Sequence, residues 1–320
     1  MNTAKHLRSL LLCTWAVVAL GAEPPRNSVV RVVTVGQEYL DRGNRDRLLE
    51  DTMERLDRAA AFRPDIAALP EVFLPGEPEI VPGPVTRRLA AWAERHSSYV
   101  LFGLRTKADG RMYNTAVLLD RRGQLVGQYH KAYPTEGELK DGVQPGDPEP
   151  PVFQTDFGLI GIQICFDVNW WESWKRLKQK GAKLIFFPAA YPADRQLSAL
   201  AVANQVFIAS ATNSRVSRIY DITGEVLSAS GRFQPWAGAE LPLGRRLFEV
   251  DFNTTKAQAA QKKYGSRIDL KWYHEDDWFT LASLDPKLTV EDLVAEFGLT
   301  PLNEYRERAT KAVEEARKPR

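Results

Sequence analysis

The stretch Leu159-Ile-Gly-Ile-Gln-Ile-Cys165-Phe-Asp-Val-Asn169-Trp-Trp-Glu172 decides how the chain is read. In a strand of period two, Ile160, Ile162 and Ile164 share one face, while Gly161, Gln163 and Cys165 share the other. Cys165 thus ends a strand on its less apolar side. Asn169, with Glu172 three residues on, is a capping-box start for a helix that runs to about Lys180 and stops at Gly181. Strand, cysteine, short turn and helix in that order form the repeating unit of an α/β fold with layered sheets and helices.

The same alternation extends outward from this stretch in both directions. Val29–Val35 reads as the first strand, residues 44–61 have helical spacing at Leu48, Met53, Leu56 and Ala59, and residues 66–69 form a short apolar strand running into Pro70 and Glu71. A helix is expected at 87–95 and a strand at 99–104. Residues 113–120 and 124–130 flank the turn Arg121-Arg122-Gly123 as a hairpin, and 218–221 with 226–228 form a second one around Thr223 and Gly224. Strands at 183–187, 206–211 and 246–252 complete the series without a boundary. Two strand ends look alike, Leu69-Pro70 and Phe187-Pro188, which points to two related halves. From residue 286 the pattern is helical only, starting at Thr289 and Asp292 and carrying a stripe of Leu302, Tyr305, Ala309 and Ala312. The organisation expected is a leader at 1–21, one α/β domain at 22–285 and a helical tail at 286–320 that docks on its own core or on a partner.

The leader rests on Lys5 and Arg8 before an apolar run at residues 10–20, closed by the small residues Gly21 and Ala22. It reads as a secretory signal peptide, and the location expected is secreted or periplasmic. An uncleaved anchor is the alternative, for which the run is short, since a spanning helix needs about 20 residues. Cys13 lacks the small residues of a lipoprotein site. Loss of Lys5 and Arg8 turns 43 basic against 41 acidic residues into balance, so the long-range attraction behind phosphate-backbone binding is missing and no nucleic-acid partner is expected. Of the 2 cysteines only Cys165 remains after cleavage. An unpaired thiol in an oxidising compartment is a liability that a reactive role would account for; a buried small hydrophobe is the other reading.

A reactive thiol needs a base or a cation, because its ordinary pKa is about 8.5. His96, His130 and His274, the histidines beyond the leader, lie in no arrangement that reads as a familiar triad or zinc site. Carboxylates and lysines remain. Glu71 and Lys131 both stand at strand ends, where a charge is either functional or simply solvated.

Pro70-Glu71-Val-Phe, Tyr129-His-Lys131 and Ile164-Cys165-Phe-Asp167 occur in the order that marks the nitrilase superfamily of carbon-nitrogen hydrolases, which the chain resembles from about Val29 to Leu281. Pro145-Gly146-Asp147, Asn204, Asn213 and the segment from Arg218 to Asp221 are similar to supporting pieces of that family. The resemblance implies a four-layer αββα sandwich, often dimeric through the Cys165 side, with neither metal nor organic cofactor. It implies that Cys165 attacks a carbonyl carbon, that Glu71 takes the thiol proton and that Lys131, with the N–H of Phe166, holds the oxyanion. It also implies a second glutamate before the Pro-Gly-Asp element. Glu138, seven residues before Pro145, fits the family spacing better than Glu136, and a plain polar turn is the alternative. Phe166-Asp167 resembles the amidase and carbamoyl-amide branches rather than the nitrile-cleaving one, although Val168 and Asn169 stand where carbamoyl amino-acid hydrolases carry arginines. The function expected is hydrolysis of a small amide, without stable membrane insertion after processing. An acyltransferase of the same superfamily and a non-catalytic secreted binding protein are the alternatives.

Overall fold

The computed structural model describes residues 29–318, so the leader expected at 1–21 lies outside the described residues. The first half contains Val29–Val35 (β1), Arg45–Ala59 (α1), Ile66–Ala68 (β2), Pro84–His96 (α2), Tyr99–Ala108 (β3), Arg111–Leu119 (β4), Leu125–His130 (β5) and the short Glu136–Lys140 (α3). The second half contains Val152–Thr155 (β6), Gly158–Ile162 (β7), Trp171–Gln179 (α4), Leu184–Ala189 (β8), Asp194–Asn204 (α5), Phe207–Thr212 (β9), Arg218–Tyr220 (β10), Val226–Ala229 (β11) and Trp236–Pro242 (β12). The chain then adds Arg246–Glu249 (β13), Thr254–Tyr264 (α6), Ile268–Tyr273 (β14), Trp278–Ser283 (β15), Val290–Phe297 (α7) and Leu302–Ala316 (α8).

Capping and apolar spacing explain the helices. Asn44 accepts the Arg47 N–H at the start of α1, and Pro84 opens α2, where its missing N–H costs nothing. Both helices bury one apolar stripe. Leu48, Leu56, Leu89 and Trp92 pack on Val33, Val35, Val100 and Phe102 of the first sheet. The alternate residues Val30, Val32, Leu101 and Leu118 belong to a second core, which continues through Ile162, Ile185 and Phe187 to Trp174, Leu177 and Leu200 of α4 and α5. The layers are therefore helix, sheet, sheet, helix.

The two large sheets share one pairing pattern. In the first, ordered β12-β1-β2-β3-β4-β5, an antiparallel edge strand precedes three parallel strands and an antiparallel hairpin. In the second, β6-β7-β8-β9-β10-β11 repeats that sequence of pairings. β2 and β8 occupy equivalent places, which accounts for the similar proline-closed ends read at Pro70 and Pro188.

The last quarter departs from expectation. Arg246–Glu249 does not extend either large sheet; it pairs with β15, which pairs with β14, in a separate three-stranded sheet. Phe248, Ala257, Phe279, Leu281 and Leu293 give this sheet, α6 and α7 a core of their own. Thr289 forms the expected capping box with Asp292 at the start of α7. Of the stripe read on α8, Leu302 is buried, Tyr305 and Ala309 are half-buried, and Ala312 is exposed.

Candidate active site

Cys165 sits just beyond β7 with φ of 47°, in the left-handed region that costs an L-residue about 1–2 kcal/mol. Asp167 is what holds the chain there. Its Oδ2 accepts the Ile164 N–H at 2.9 Å and the Tyr129 hydroxyl at 2.8 Å, and its Oδ1 accepts the Tyr133 N–H at 2.9 Å. These bonds close Cys165–Asn169 into a 3₁₀ turn and correct the expected cap. Asn169 is used up in the turn, donating to the Phe166 carbonyl at 3.1 Å, and α4 starts after Trp170 with no side-chain cap. Trp170 stacks on Tyr133 at 4.0 Å, so its ring serves packing.

Glu71 follows β2 in a turn laid directly on Gly103 of β3. A Cβ at Gly103 would stand 2.7 Å from both the Glu71 Cα and the Pro70 oxygen. Lys131 is the first residue past β5, and its main chain is fixed at both groups: its N–H donates to the Asn114 carbonyl and its carbonyl accepts the Gly146 N–H, each at 2.8 Å. Gly146 packs so closely on the His130 carbonyl that any Cβ would fall 2.2 Å from that oxygen, which gives the Pro145-Gly146-Asp147 element a structural reason. Glu138 lies in α3, where Thr135 forms a capping box with it.

Five side chains, Lys131, Glu71, Glu138, Asn114 and Cys165, then converge, with Arg105 at their edge. Lys131 Nζ donates to Glu71 Oε1 and to Glu138 Oε2, both at 2.8 Å. Asn114 Nδ2 donates to Glu71 Oε1 and to Glu138 Oε1, both at 2.7 Å. Arg105 approaches Glu138 at 3.4 Å. Cys165 lies within electrostatic reach of both Glu71 and Lys131, next to the Ala190 backbone. Lys131 is 1% exposed and Glu71 and Cys165 are each 6% exposed, so this chemistry is held nearly out of water, where charge interactions are strong.

Burial first, and then the Glu71 charge, push the Cys165 thiol up, with Lys131 opposing but not prevailing. Burial and the neighbouring Glu71 thus favour the neutral form of the sulfur. Burial disfavours the Lys131 charge, but the Glu71 and Glu138 charges outweigh it and raise its pKa above the ordinary lysine range. Glu138 is held below the usual carboxylate range: burial raises it, and Lys131 with the Thr135 and Asn114 donors more than reverses that.

Sequence reading reached Glu71, Lys131, Cys165 and Glu138, which the structure brings together, and Phe166, whose side chain is exposed at the turn edge-on to Trp170. Glu136 is exposed and outside the cluster. Asn114 was missed. Its signal was a lone amide inside the apolar strand β4, where it is fully buried. Tyr191 was missed too; it is half-buried and within electrostatic reach of Cys165, Lys131 and Glu71. His130 turns to Thr115 at 2.8 Å and stacks on Tyr113.

The sequence profile described as carbon-nitrogen hydrolase matches residues 30–245, more than half of the chain. The chain belongs to the carbon-nitrogen hydrolase family. Its family match ends before β13, short of the Leu281 to which the resemblance was read. A Pseudomonas protegens relative named "Hydrolase in pqqF 5'region" is 32% identical, the alignment covering 53% of this chain and 63% of that protein. A deaminated glutathione amidase of Synechocystis sp. is 31% identical over 49% of this chain and 65% of its own length. The chain thus spans less than two thirds of these two relatives. Human omega-amidase NIT2 is 27% identical over 60% of this chain and 81% of its own. Among solved structures, an amidase from Nesterenkonia sp. superposes with a TM-score of 0.59 at 21% identity, covering 68% of this chain and 92% of that one. The C. elegans NitFhit protein gives 0.60 at 18% identity, over 74% and 65%. These share the four-layer fold.

Proposed function

We propose that this family member is an amidohydrolase that splits the carbon-nitrogen bond of a small non-peptide amide or carbamoyl amide through a Cys165 thioester. The observation that carries the reading is the buried cluster in which Lys131 donates to Glu71 and Glu138 within electrostatic reach of Cys165. As Sγ attacks the carbonyl carbon, its proton passes to Glu71, and the oxygen gains negative charge beside Lys131 and the Phe166 N–H. General-base transfer contributes about 10²–10⁴ in rate and an oxyanion donor about 10²–10³. Collapse breaks the C–N bond, Glu71 returns the proton to the leaving nitrogen, and ammonia or an amine departs. Water then attacks the thioester, giving one proton to Glu71, and the sulfur leaves and is reprotonated. Glu138 and Asn114 hold Lys131 and Glu71 in place throughout.

The names of the relatives, deaminated glutathione amidase and omega-amidase, support an amide substrate. So does a Nesterenkonia amidase structure that shows the acetamide moiety of fluoroacetamide covalently added at its active site cysteine. Ammonia release from a panel of small amides tests the reading. Turnover should disappear in Cys165→Ala while the far-UV and near-UV spectra persist, and activity within about tenfold of wild type, a loss of under 1.4 kcal/mol in barrier terms, would overturn it. Export with loss of the leader at residues 1–21 is proposed alongside. The intact mass of protein recovered outside the cytoplasm decides that point, since retention of Met1 to Leu20 contradicts cleavage.

A further inference from the structure

At the opposite ends of the parallel strands from Cys165, a cavity of about 170 Å³ is lined by Lys178, Lys183, Arg245 and Arg246, with Asn303 of α8 and the Phe207 ring. Cys165 follows the C-terminal end of β7, whereas Lys183 immediately precedes β8 and Phe207 begins β9, both parallel to their neighbours. The cavity is therefore separate from the site already described.

No carboxylate lines it. Arg246 is matched by Glu304 at 2.8 Å and Glu291 at 3.5 Å. Arg245 gives its terminal nitrogens to Asp221 and Asp269, which leaves its buried Nε without a hydrogen-bond partner. The lysines are different. Half-buried Lys178 donates to the Gln205 carbonyl at 3.0 Å, and Lys183 stands at the open rim; neither makes an ion pair among the described residues. Desolvation, then Lys183 and Arg246, push Lys178 down to about 8, and desolvation followed by Arg246 lowers Lys183, with Glu291 attracting it from farther away. Two positive charges thus face one cavity uncompensated, an arrangement that costs free energy until an anion enters.

We propose that this cavity binds a small tetrahedral dianion of the phosphate class, either inorganic phosphate or the phosphoryl group of a small monoester, between Lys178, Lys183 and Arg245. A phosphoryl group carries close to two negative charges at neutral pH and several strong acceptor oxygens, which matches two lysines that make no ion pair; a carboxylate would neutralise only one of them. Because Arg246 and Asn303 connect the cavity to α8, the bound anion also ties the C-terminal helix to the second sheet.

The wild-type protein, exchanged into chloride buffer, is trace-acetylated with and without millimolar phosphate or glycerol phosphate, and each lysine is followed by mass spectrometry. Phosphate should protect Lys178 and Lys183 but not exposed Lys175, and chloride at equal ionic strength should protect none of them. The phosphate affinity of Lys178→Gln/Lys183→Gln, measured by titration calorimetry, should fall by about tenfold or more per lysine, with amide turnover unchanged. Tighter binding of glycerol phosphate assigns the site to monoesters, and equal binding assigns it to the free ion. Absence of protection by both, equal protection by chloride, or an unchanged affinity in the double variant overturns the proposal. The protection experiment decides the matter even where the double variant does not fold.

Discussion

Lys131 bonds two carboxylates at once, and which of its partners matters for turnover can be separated by charge. In Glu138→Gln the amide can still accept from Thr135, but one of the charges that raises the Lys131 pKa is gone. We expect kcat to fall by about 10² with little change in KM, as for loss of an acid-base partner. The alkaline limit of the kcat profile should also move to lower pH, because Lys131 then gives up its proton more easily. Exposed Glu136→Gln should leave both parameters near wild type, and an exchange of the two outcomes would move the second carboxylate to the other glutamate. Asp167 makes a different prediction. Burial pushes it up to about 6 from 3.8, against three hydrogen bonds that favour its charge. Between those values the folded protein keeps a proton that the unfolded chain has released, so stability contributed by Asp167 is full below about pH 4 and falls as pH rises through about 6. The change is about 2–3 kcal/mol. Asp167→Asn lacks that slope. Denaturant unfolding from pH 4 to pH 7 should show wild-type stability declining relative to the variant, and a pH-independent difference would contradict the assignment.

Among the elements, the turn carrying Glu71 depends on the strand beneath it. Gly103 in β3 donates to the Pro70 carbonyl at 3.1 Å and accepts the Phe73 N–H at 3.0 Å, so any side chain there lifts the Glu71 backbone itself. Gly103→Ala should destabilise by about 1–3 kcal/mol, as overpacking does. It should also lower kcat by about 10² through displacement of the general base, a loss on the scale of a misplaced catalytic group. Amide turnover and chemical denaturation of the same preparation check both, and normal turnover would show that the turn yields without moving the carboxylate. No sequence pattern announced Gly103, because the atoms it makes room for lie about thirty residues earlier. β1 and α1 were legible for the opposite reason: the apolar run of Val29–Val35 and the spacing of Leu48 and Leu56 are local. The expected cap at Asn169 failed where a distant contact took over, Asp167 having spent its oxygens on Tyr129, Tyr133 and Ile164. Glu71, Lys131 and Cys165 could be picked out as residues at strand ends, but only the resemblance joined them, and Asn114, which bridges two of the carboxylates, had no neighbour in sequence to reveal it.

At the level of the whole molecule, the extra three-stranded sheet must be attached to the sandwich, and one buried arginine does much of this. Arg245 bonds Asp221, in the turn between β10 and β11, at 2.7 Å, and also Asp269 on β14, which joins the second large sheet to the added one. Its side chain is 10% exposed and that of Asp221 is 0% exposed. Taking two charges out of water costs several kcal/mol per ion, so the pair itself adds little net stability, but removing one member strands the other. In Arg245→Met the Asp221 carboxylate keeps the Thr223 hydroxyl at 3.1 Å and no cation. We expect a loss of about 3–5 kcal/mol in unfolding free energy. Asp221→Asn combined with Arg245→Met should recover part of it, because the stranded charge is gone. Turnover measured well below the transition should stay near wild type in both variants, since Cys165, Glu71 and Lys131 lie at other strand ends. Urea unfolding of the single and double variants gives the coupling directly. A single-variant loss below about 1 kcal/mol, the range of an exposed pair, would mean that the two sheets are held by their apolar contacts and that Arg245 only accompanies them.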